Sequence, residues 1–253
     1  IRHVLETKDH VTICVESKER TWELMIYPVV GGFRMIAGKK GFFDGKPEAF
    51  SMEESEHAYI IRSKEHEMIL QKETLEISID RKAITNLKNI SFIFEKESVS
   101  ASRIQFSIHE NSAIYGFGER FDSVNQYGKT VALWQRDACE GCLASIGNQA
   151  YKNIPLVHTS DGFSFFANTS YRMRMDVGDA VQDYLSVEAL GDVFDFYIWS
   201  GTPREAMTAY GTLTGLPIFP PEWVFEPWAG GGGGRWRNGP LQDIALEQMA
   251  AME

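Results

Sequence analysis

Cysteine is scarce in this sequence, with three residues in 253. A small, odd number of cysteines cannot build a disulfide framework for a chain of this size, so a hydrophobic core must hold the fold. Basic residues are outnumbered, because 25 Lys and Arg face 35 Asp and Glu and leave a net charge of -10. A chain with a net negative charge is not attracted electrostatically to a polyanion, so we expect no nucleic-acid partner.

Long apolar runs are also missing. The longest, at residues 24–30, falls far short of the ~20 residues that a membrane helix needs, so we expect no membrane partner. Nor does any pattern repeat every 20 to 50 residues, as it would in a solenoid or a propeller. What is present is a hydrophobic fraction of 43% beside 24% charged residues, which is enough for a substantial core.

Short apolar runs separated by charged or glycine-containing turns fill residues 2–200. Many alternate with period two, as in residues 75–79 and 194–198, where apolar side chains take one face. Further runs of this kind lie at 11–15, 21–27, 33–36, 57–61, 68–70, 91–94, 104–108 and 162–167. Strands at this spacing predict an antiparallel sandwich or barrel.

The pattern changes at Thr202. Thr202 supplies an N-cap hydroxyl, Pro203 suits the first helical position, and Glu205 can reach back to the cap. We therefore predict a linking helix over about 202–215, ended by Gly215. Its buried stripe is predicted to comprise Ala206, Tyr210 and Leu213.

A proline-stiffened connector at 216–221 follows the helix and indicates a boundary between domains 1–216 and 217–253. Residues 223–228 are compatible with a short strand, residues 230–234 are all glycine, and a second helix is predicted from about Pro240. Strand, loop and helix make half of a βα repeat, which cannot bury both faces alone. The sequence begins without Met and ends inside a helical pattern, so we expect a piece of a longer polypeptide.

The cluster at residues 115–121 contains two glycines, Gly116 and Gly118, followed by Glu119 and Arg120. The glycines permit unusual backbone angles, and the charged pair is suited to fixing a loop. A dinucleotide fingerprint needs a third glycine and a βαβ setting, neither of which is present. A tight turn inside the sandwich is the favoured interpretation.

The stretch at residues 134–142 is denser in functional side chains. Trp134, Arg136 and Asp137 are residue types that bind sugars. An indole stacks on the C–H face of a sugar ring, and a carboxylate accepts hydrogen bonds from sugar hydroxyls. The alternative is a solvated loop with one buried tryptophan. Cys139 and Cys142 match only half of a zinc ribbon, so we expect no metal site.

No cofactor is predicted either. The glycines at 230–234 are not followed by Lys-Ser or Lys-Thr, so the phosphate-loop pattern is not met. Spacing alone nominates no catalytic triad, and thirty-five acidic residues offer too many carboxylate pairs to choose among.

Several stretches, taken together and in order, resemble glycoside hydrolase family 31, the retaining α-glycosidases that include α-glucosidases and α-xylosidases. They are Tyr-Gly-Phe-Gly-Glu-Arg at 115–120, Trp-Gln-Arg-Asp at 134–137, Ala-Tyr-Lys-Asn-Ile-Pro at 150–155, Phe-Asp-Phe-Tyr at 194–197, Thr-Pro at 202–203 with Tyr210, Thr-Gly-Leu-Pro at 214–217 and Pro-Pro-Glu-Trp at 220–223. The resemblance implies a mostly β fold: an antiparallel, galactose-mutarotase-like β-sandwich, followed by the first βα unit of a (β/α)8 catalytic barrel.

The resemblance also implies where the chemistry lies. The nucleophile and the general acid, both Asp in this family, are expected beyond Glu253 on later barrel strands. Asp137 would contact the leaving-group side of an oligosaccharide or α-glycoside substrate, Arg136 and Trp134 would belong to the same substrate loop, and Trp228 would wall the pocket. Gln135 replaces the more usual Asn of this motif. The rest of the barrel is the expected partner, and a homo-oligomer is left open.

Two other functions remain compatible with the sequence. A non-catalytic carbohydrate-binding sandwich would use Trp134 and Asp137 to hold glycan without hydrolysis. A purely structural module would use neither residue.

Overall fold

The computed structural model describes residues 1–17, 20–38, 47–95, 98–120, 122–135, 150–226 and 241–251. The strands within these residues are β1 (His3–Glu6), β2 (Val11–Ser17), β3 (Arg20–Val29), β4 (Gly32–Gly38), β5 (Ser51–Glu54), β6 (Ala58–Arg62), β7 (Glu67–Gln71), β8 (Glu76–Ile79), β9 (Lys82–Glu95), β10 (Ser98–Ser107), β11 (Ile114–Gly118), β12 (Lys129–Leu133), β13 (Asn153–Thr159), β14 (Phe163–Ala167), β15 (Met173–Val177), β16 (Tyr184–Leu190) and β17 (Val193–Ser200). Two α-helices follow, α1 (Pro203–Thr214) and α2 (Leu241–Ala250). The chain divides into two compact units, Ile1–Gly215 and Leu216–Glu253.

The strands of the first unit form two antiparallel sheets. Eight strands lie in the order β1-β2-β3-β4-β17-β14-β13-β11, and nine lie in the order β12-β15-β16-β10-β9-β8-β7-β6-β5. Strand β17 pairs with both β4 and β14, and so joins the beginning of the unit to its end. Strands β11 and β12 are consecutive in sequence but lie at the edges of different sheets, so the chain crosses between the sheets there.

The core lies between the two sheets, as the period-two pattern predicts for a sandwich. Phe106 of the nine-stranded sheet reaches across to Phe165 and Phe196 of the other sheet, with ring centroids 4.6 and 5.9 Å apart. All three rings are fully buried, and each contributes about 1.5–3 kcal/mol on leaving water. Cys14, the cysteine within the described residues, is buried as a free thiol.

Helix α1 covers the outer face of the eight-stranded sheet. Its predicted capping box is confirmed: the Glu205 N–H donates to Thr202 Oγ1 at 3.3 Å, and the Thr202 N–H donates to Glu205 Oε2 at 2.7 Å. Ala206 and Ala209 are buried, and Tyr210 packs edge-on against the ring of Phe166. The prediction that Leu213 belongs to the buried stripe is wrong, because the sheet contacts lie in the first two turns and Leu213 is 43% exposed.

The second unit begins after Gly215. The short strand predicted at 223–228 is wrong where the structure describes it, because Glu222–Phe225 form a 3-10 helix. The Val224 N–H donates to the Pro221 carbonyl at 3.0 Å and the Glu226 N–H to the Trp223 carbonyl at 3.3 Å, so these backbone groups are satisfied locally rather than by a neighbouring strand. Helix α2 lies where a helix was predicted. No helix in the described part of the chain is long and apolar enough to cross a membrane.

Candidate saccharide site

The glycine-rich cluster forms β11, an edge strand that pairs irregularly with β13, and not the predicted tight turn. Its pairing with β13 shifts register between Gly116 and Gly118, and Phe117 between them has φ 67° while its ring is fully buried in the core. A Cβ at Gly118 would overlap the Lys152 carbonyl oxygen. The register shows that the bulge belongs to β13, where four residues of chain face two of β11. The glycines adopt the positive φ angles that this pairing needs and keep β11 in close contact with β13.

Arg120 leaves this strand and enters the base of the site. Its Nη2 donates to Asn153 Oδ1 at 2.5 Å and to the Ala132 carbonyl at 3.3 Å. Its Nε is buried and has no hydrogen-bond partner among the described residues. Burial lowers the pKa of the Arg120 guanidinium, although the nearby Asp122 carboxylate acts against the shift. The expected pairing of Glu119 with Arg120 is replaced by bonds to neutral oxygens.

Asn153 connects Arg120 to Gln135. The Gln135 Oε1 atom accepts from the backbone N–H of Asn153 at 2.9 Å and from its Nδ2 at 2.6 Å. Asn153 Nδ2 also donates to the Ala150 carbonyl at 3.0 Å, and Gln135 forms an isolated parallel bridge with Ala150. These bonds fasten together the two ends of the stretch at 136–149.

Trp134 comes immediately before this clasp and is exposed. Its exposed fraction is 53%, so the alternative of a buried tryptophan is wrong. It borders a cleft of about 320 Å³ between the end of β12 and the loop that joins β14 to β15. Tyr171 of that loop lines the same cleft and is 61% exposed. The remaining lining comprises Leu133, Gln135, Asn153, Pro155, Thr169, Ser170 and Met173.

Of the predicted site residues, the structure describes only Trp134. Arg136, Asp137 and Trp228 lie outside the described residues, as do Cys139, Cys142 and the glycines at 230–234. The structure therefore does not test whether the four predicted residues meet. It adds Tyr171, which lies far along the chain in a polar loop and carries no pattern that distinguishes it from other surface tyrosines.

A second cleft of about 610 Å³ lies between the β8–β9 turn and the start of α1. His66 Nδ1 lies 2.8 Å from Asp80 Oδ2, and the Glu67 N–H donates to Asp80 Oδ1 at 3.0 Å. Burial acts to raise the pKa of Asp80, but hydrogen bonds from Ser200, Glu67 and His66 outweigh it and lower that pKa. The Asp80 carboxylate thus bonds to Ser200 of β17 and to residues of the β6–β7 turn, and we assign it a structural role.

The comparison with known families decides the class of this sandwich. The family described as the glycosyl hydrolase 31 N-terminal galactose mutarotase-like domain matches residues 14–176, well over half of the chain. The chain belongs to this family. The two antiparallel sheets and the resemblance seen in the sequence agree with that membership.

Relatives of this family member include α-xylosidase XylQ of Lactiplantibacillus pentosus, 34% identical over 131 residues, which are 51% of this chain and 16% of that protein. Alpha-glucosidase 2 of Bacillus thermoamyloliquefaciens is 24% identical over 182 residues, 69% of this chain and 22% of that protein. The chain thus corresponds to between about a sixth and a quarter of the length of these two relatives.

Solved structures share the fold. The cycloalternan-forming enzyme of Listeria monocytogenes, in complex with a pentasaccharide substrate, superposes with a TM-score of 0.78 at 18% identity, covering 88% of this chain and 23% of that one. A Flavobacterium johnsoniae GH31 dextranase complexed with glucose gives a TM-score of 0.70 at 20% identity, covering 88% of this chain and 29% of that one.

Proposed function

We propose that this chain is the N-terminal part of a retaining α-glycosidase that removes terminal α-linked glucose or xylose from oligosaccharides. The observation that carries the proposal is the family match over residues 14–176, together with 34% identity to an α-xylosidase. The sandwich supports the catalytic barrel, and residues 217–253 form the connector into that barrel.

The substrate loop is the direct contribution of this part to catalysis. The clasp between Gln135 and Asn153 holds the two ends of the stretch that contains Arg136 and Asp137. In the proposed site, Asp137 accepts hydrogen bonds from sugar hydroxyls on the leaving-group side. Arg136 and Trp134 lie beside it, and Trp228 forms part of the pocket wall. Anchoring both ends of a substrate-binding segment lowers the conformational entropy that substrate binding costs.

The chemistry itself requires two carboxyl groups that we place outside these 253 residues, on later strands of the barrel. One attacks the anomeric carbon and displaces the leaving group, to which the other donates a proton. Water then hydrolyses the covalent glycosyl intermediate with the second group acting as base, which retains the anomeric configuration.

Kinetics of the whole protein on aryl α-glucoside and aryl α-xyloside test this function. We expect turnover of at least one of them by the whole protein and none by residues 1–253 alone. Asp137→Ala should lower kcat/KM by the equivalent of about 1.5–3 kcal/mol, because a charged hydrogen bond to sugar is lost. Glu140→Ala, in the same stretch, is the matched control and should leave kcat/KM unchanged. Robust turnover by residues 1–253 would refute the placement of the catalytic acids.

The exposed indole of Trp134 favours one alternative, a carbohydrate-binding sandwich without catalysis. That function predicts saccharide binding by the whole protein but no turnover of any α-glycoside. Equal binding and equal kinetics for the wild type and the Asp137→Ala variant would instead favour a purely structural module.

A further inference from the structure

We propose that the cleft between Trp134 and Tyr171 is a second sugar-binding subsite, which holds one unit of a longer α-linked oligosaccharide. The inference rests on the proposed function, because it extends the same substrate loop. Its new element is Tyr171, which we assign as the stacking platform of this subsite.

The aromatic lining is the first observation. Single exposed aromatics are ordinary on a protein surface, but here two large rings line one cleft, with Trp134 53% and Tyr171 61% exposed. Aromatic faces left in water beside a concave surface are suited to the C–H face of a sugar ring. A cleft of about 320 Å³ lies at the small end of the range for ligand pockets, roughly 300–1,000 Å³, which suits a single sugar unit.

The second observation is that the Tyr171 platform is held in place. A Cβ built on Gly191 would lie 3.4 Å from Cε2 of Tyr171, so the ring occupies the space beside this glycine of the β16–β17 turn. The Tyr171 N–H donates to Thr169 Oγ1 at 3.2 Å and fixes the local turn. A supported ring loses little side-chain entropy when a ligand stacks on it.

The polar lining indicates the chemical class of the ligand. The described residues that line the cleft offer neutral polar groups and no Asp, Glu, Lys or Arg. Amides and hydroxyls are present instead. The Ser170 hydroxyl makes no hydrogen bond within the described residues, and the Thr169 hydroxyl accepts one bond and keeps its own proton to donate. Neutral donors and acceptors beside aromatic faces fit a neutral polyhydroxyl compound.

The test compares short and long substrates in the whole protein. For wild type and Tyr171→Ala, kcat/KM is measured on aryl α-glucoside and aryl α-xyloside, and on maltotetraose and isomaltotetraose. We expect Tyr171→Ala to lower kcat/KM on the better tetrasaccharide by about two- to tenfold, the loss of one aromatic contact, and to leave the aryl glycosides unchanged. Tyr171→Phe should retain the wild-type value, because the ring and not the hydroxyl forms the platform. Tyr115→Ala, at another exposed tyrosine outside the cleft, should have no such effect.

Calorimetric titration of the same tetrasaccharides into wild type and Tyr171→Ala keeps the subsite testable if the proposed hydrolysis is absent. Binding that the substitution weakens supports the subsite, even for a protein without turnover. Equal binding by both proteins, or none by either, overturns it. Equal losses on aryl and tetrasaccharide substrates, or a Tyr171→Phe variant as impaired as Tyr171→Ala, overturn the stacking role while leaving the α-glycosidase function intact.

Discussion

The side-chain oxygen of Gln135 accepts two hydrogen bonds from a single residue, Asn153, one from its backbone N–H at 2.9 Å and one from its amide at 2.6 Å. The amide oxygen of Asn153 in turn accepts from the half-buried Arg120. Asn153 therefore has two separable roles: it accepts a hydrogen bond from the partly buried Arg120 guanidinium, and it holds Gln135, which directly precedes the proposed substrate-binding residues.

Two substitutions at Asn153 separate these duties. Asn153→Ala removes the acceptor of a charged donor, so the free energy of unfolding should fall by about 1.5–3 kcal/mol in urea titrations. Asn153→Asp keeps an acceptor for Arg120 but loses the Nδ2 donor to Gln135. Its stability should stay closer to wild type while kcat/KM on aryl glycosides falls. An Asn153→Asp variant with normal kcat/KM would show that the clasp does not position the loop.

Arg34 and Asp195 form an ion pair across the adjacent strands β4 and β17. Arg34 Nε donates to Asp195 Oδ1 at 2.8 Å and Nη2 to Oδ2 at 2.6 Å, with the arginine side chain 3% exposed. Asp195→Ala leaves a buried cation short of its carboxylate and should cost about 3–5 kcal/mol of unfolding free energy in urea. The double variant Arg34→Met with Asp195→Ala should recover part of that loss.

Glu188→Ala provides the control for this pair, since its partner Arg103 is 46% exposed and the bond lies on the surface. It should change stability by less than about 1 kcal/mol. Equal costs for Asp195→Ala and Glu188→Ala would contradict the assignment of a buried pair.

Thr202 starts helix α1 through the capping box. Thr202→Ala should lower the free energy of unfolding by about 1 kcal/mol, because the Glu205 N–H loses its acceptor, while Thr202→Ser should retain wild-type stability. Thr208→Ala, in the exposed middle of the same helix, is the matched control and should be neutral or slightly stabilising. Thermal melts of the three variants and the wild type measure these differences. A Thr202→Ala melting curve that coincides with the wild-type curve would show that the cap does not contribute to stability.

Asp122 makes the stability of the sandwich depend on pH in the acid range. Burial opposes ionisation, but bonds from Lys129 Nζ at 2.7 Å, from Gln126 and from the Ser123 N–H lower the pKa of Asp122 to about 2 from its usual 3.8. The unfolded chain therefore takes up this proton first as the pH falls. The stabilisation from Asp122 is complete above about pH 4 and is lost as the pH approaches 2.

Urea titrations at several pH values check this dependence. Asp122→Asn should flatten the change in stability between pH 4 and 2, and Lys129→Met should flatten it less, because the other two bonds remain. Identical slopes for wild type and Asp122→Asn in this window would contradict the shift.

Much of the fold was predictable because local patterns encode it. Alternation in β17 places Phe194 and Phe196 on the core side, and the hydroxyl, proline and carboxylate at 202–205 fix the start of α1. Prediction was wrong where neighbours decide the outcome. The cluster at 115–121 has the glycines of a turn, yet it pairs as an edge strand with the bulged strand β13. Residues 222–225 look extended in sequence but satisfy their backbone locally.

The candidate site divides in the same way. Trp134 could be selected from the sequence because it lies beside Arg136 and Asp137, and because the family resemblance implies that this stretch contacts substrate. Tyr171 could not, because nothing local to the β14–β15 loop distinguishes it. Only the pairing of β12 with β15 brings the two residues to one cleft.

The sequence alone determined the β class of the fold and the position of the linking helix, and it nominated the stretch proposed to bind sugar, since each depends on residues close together along the chain. Tertiary structure decided that residues 114–118 pair as an edge strand, that Arg120 donates to neutral oxygens such as that of Asn153, and that Tyr171 shares a cleft with Trp134. Those outcomes depend on strand register, which joins residues that no local periodicity relates.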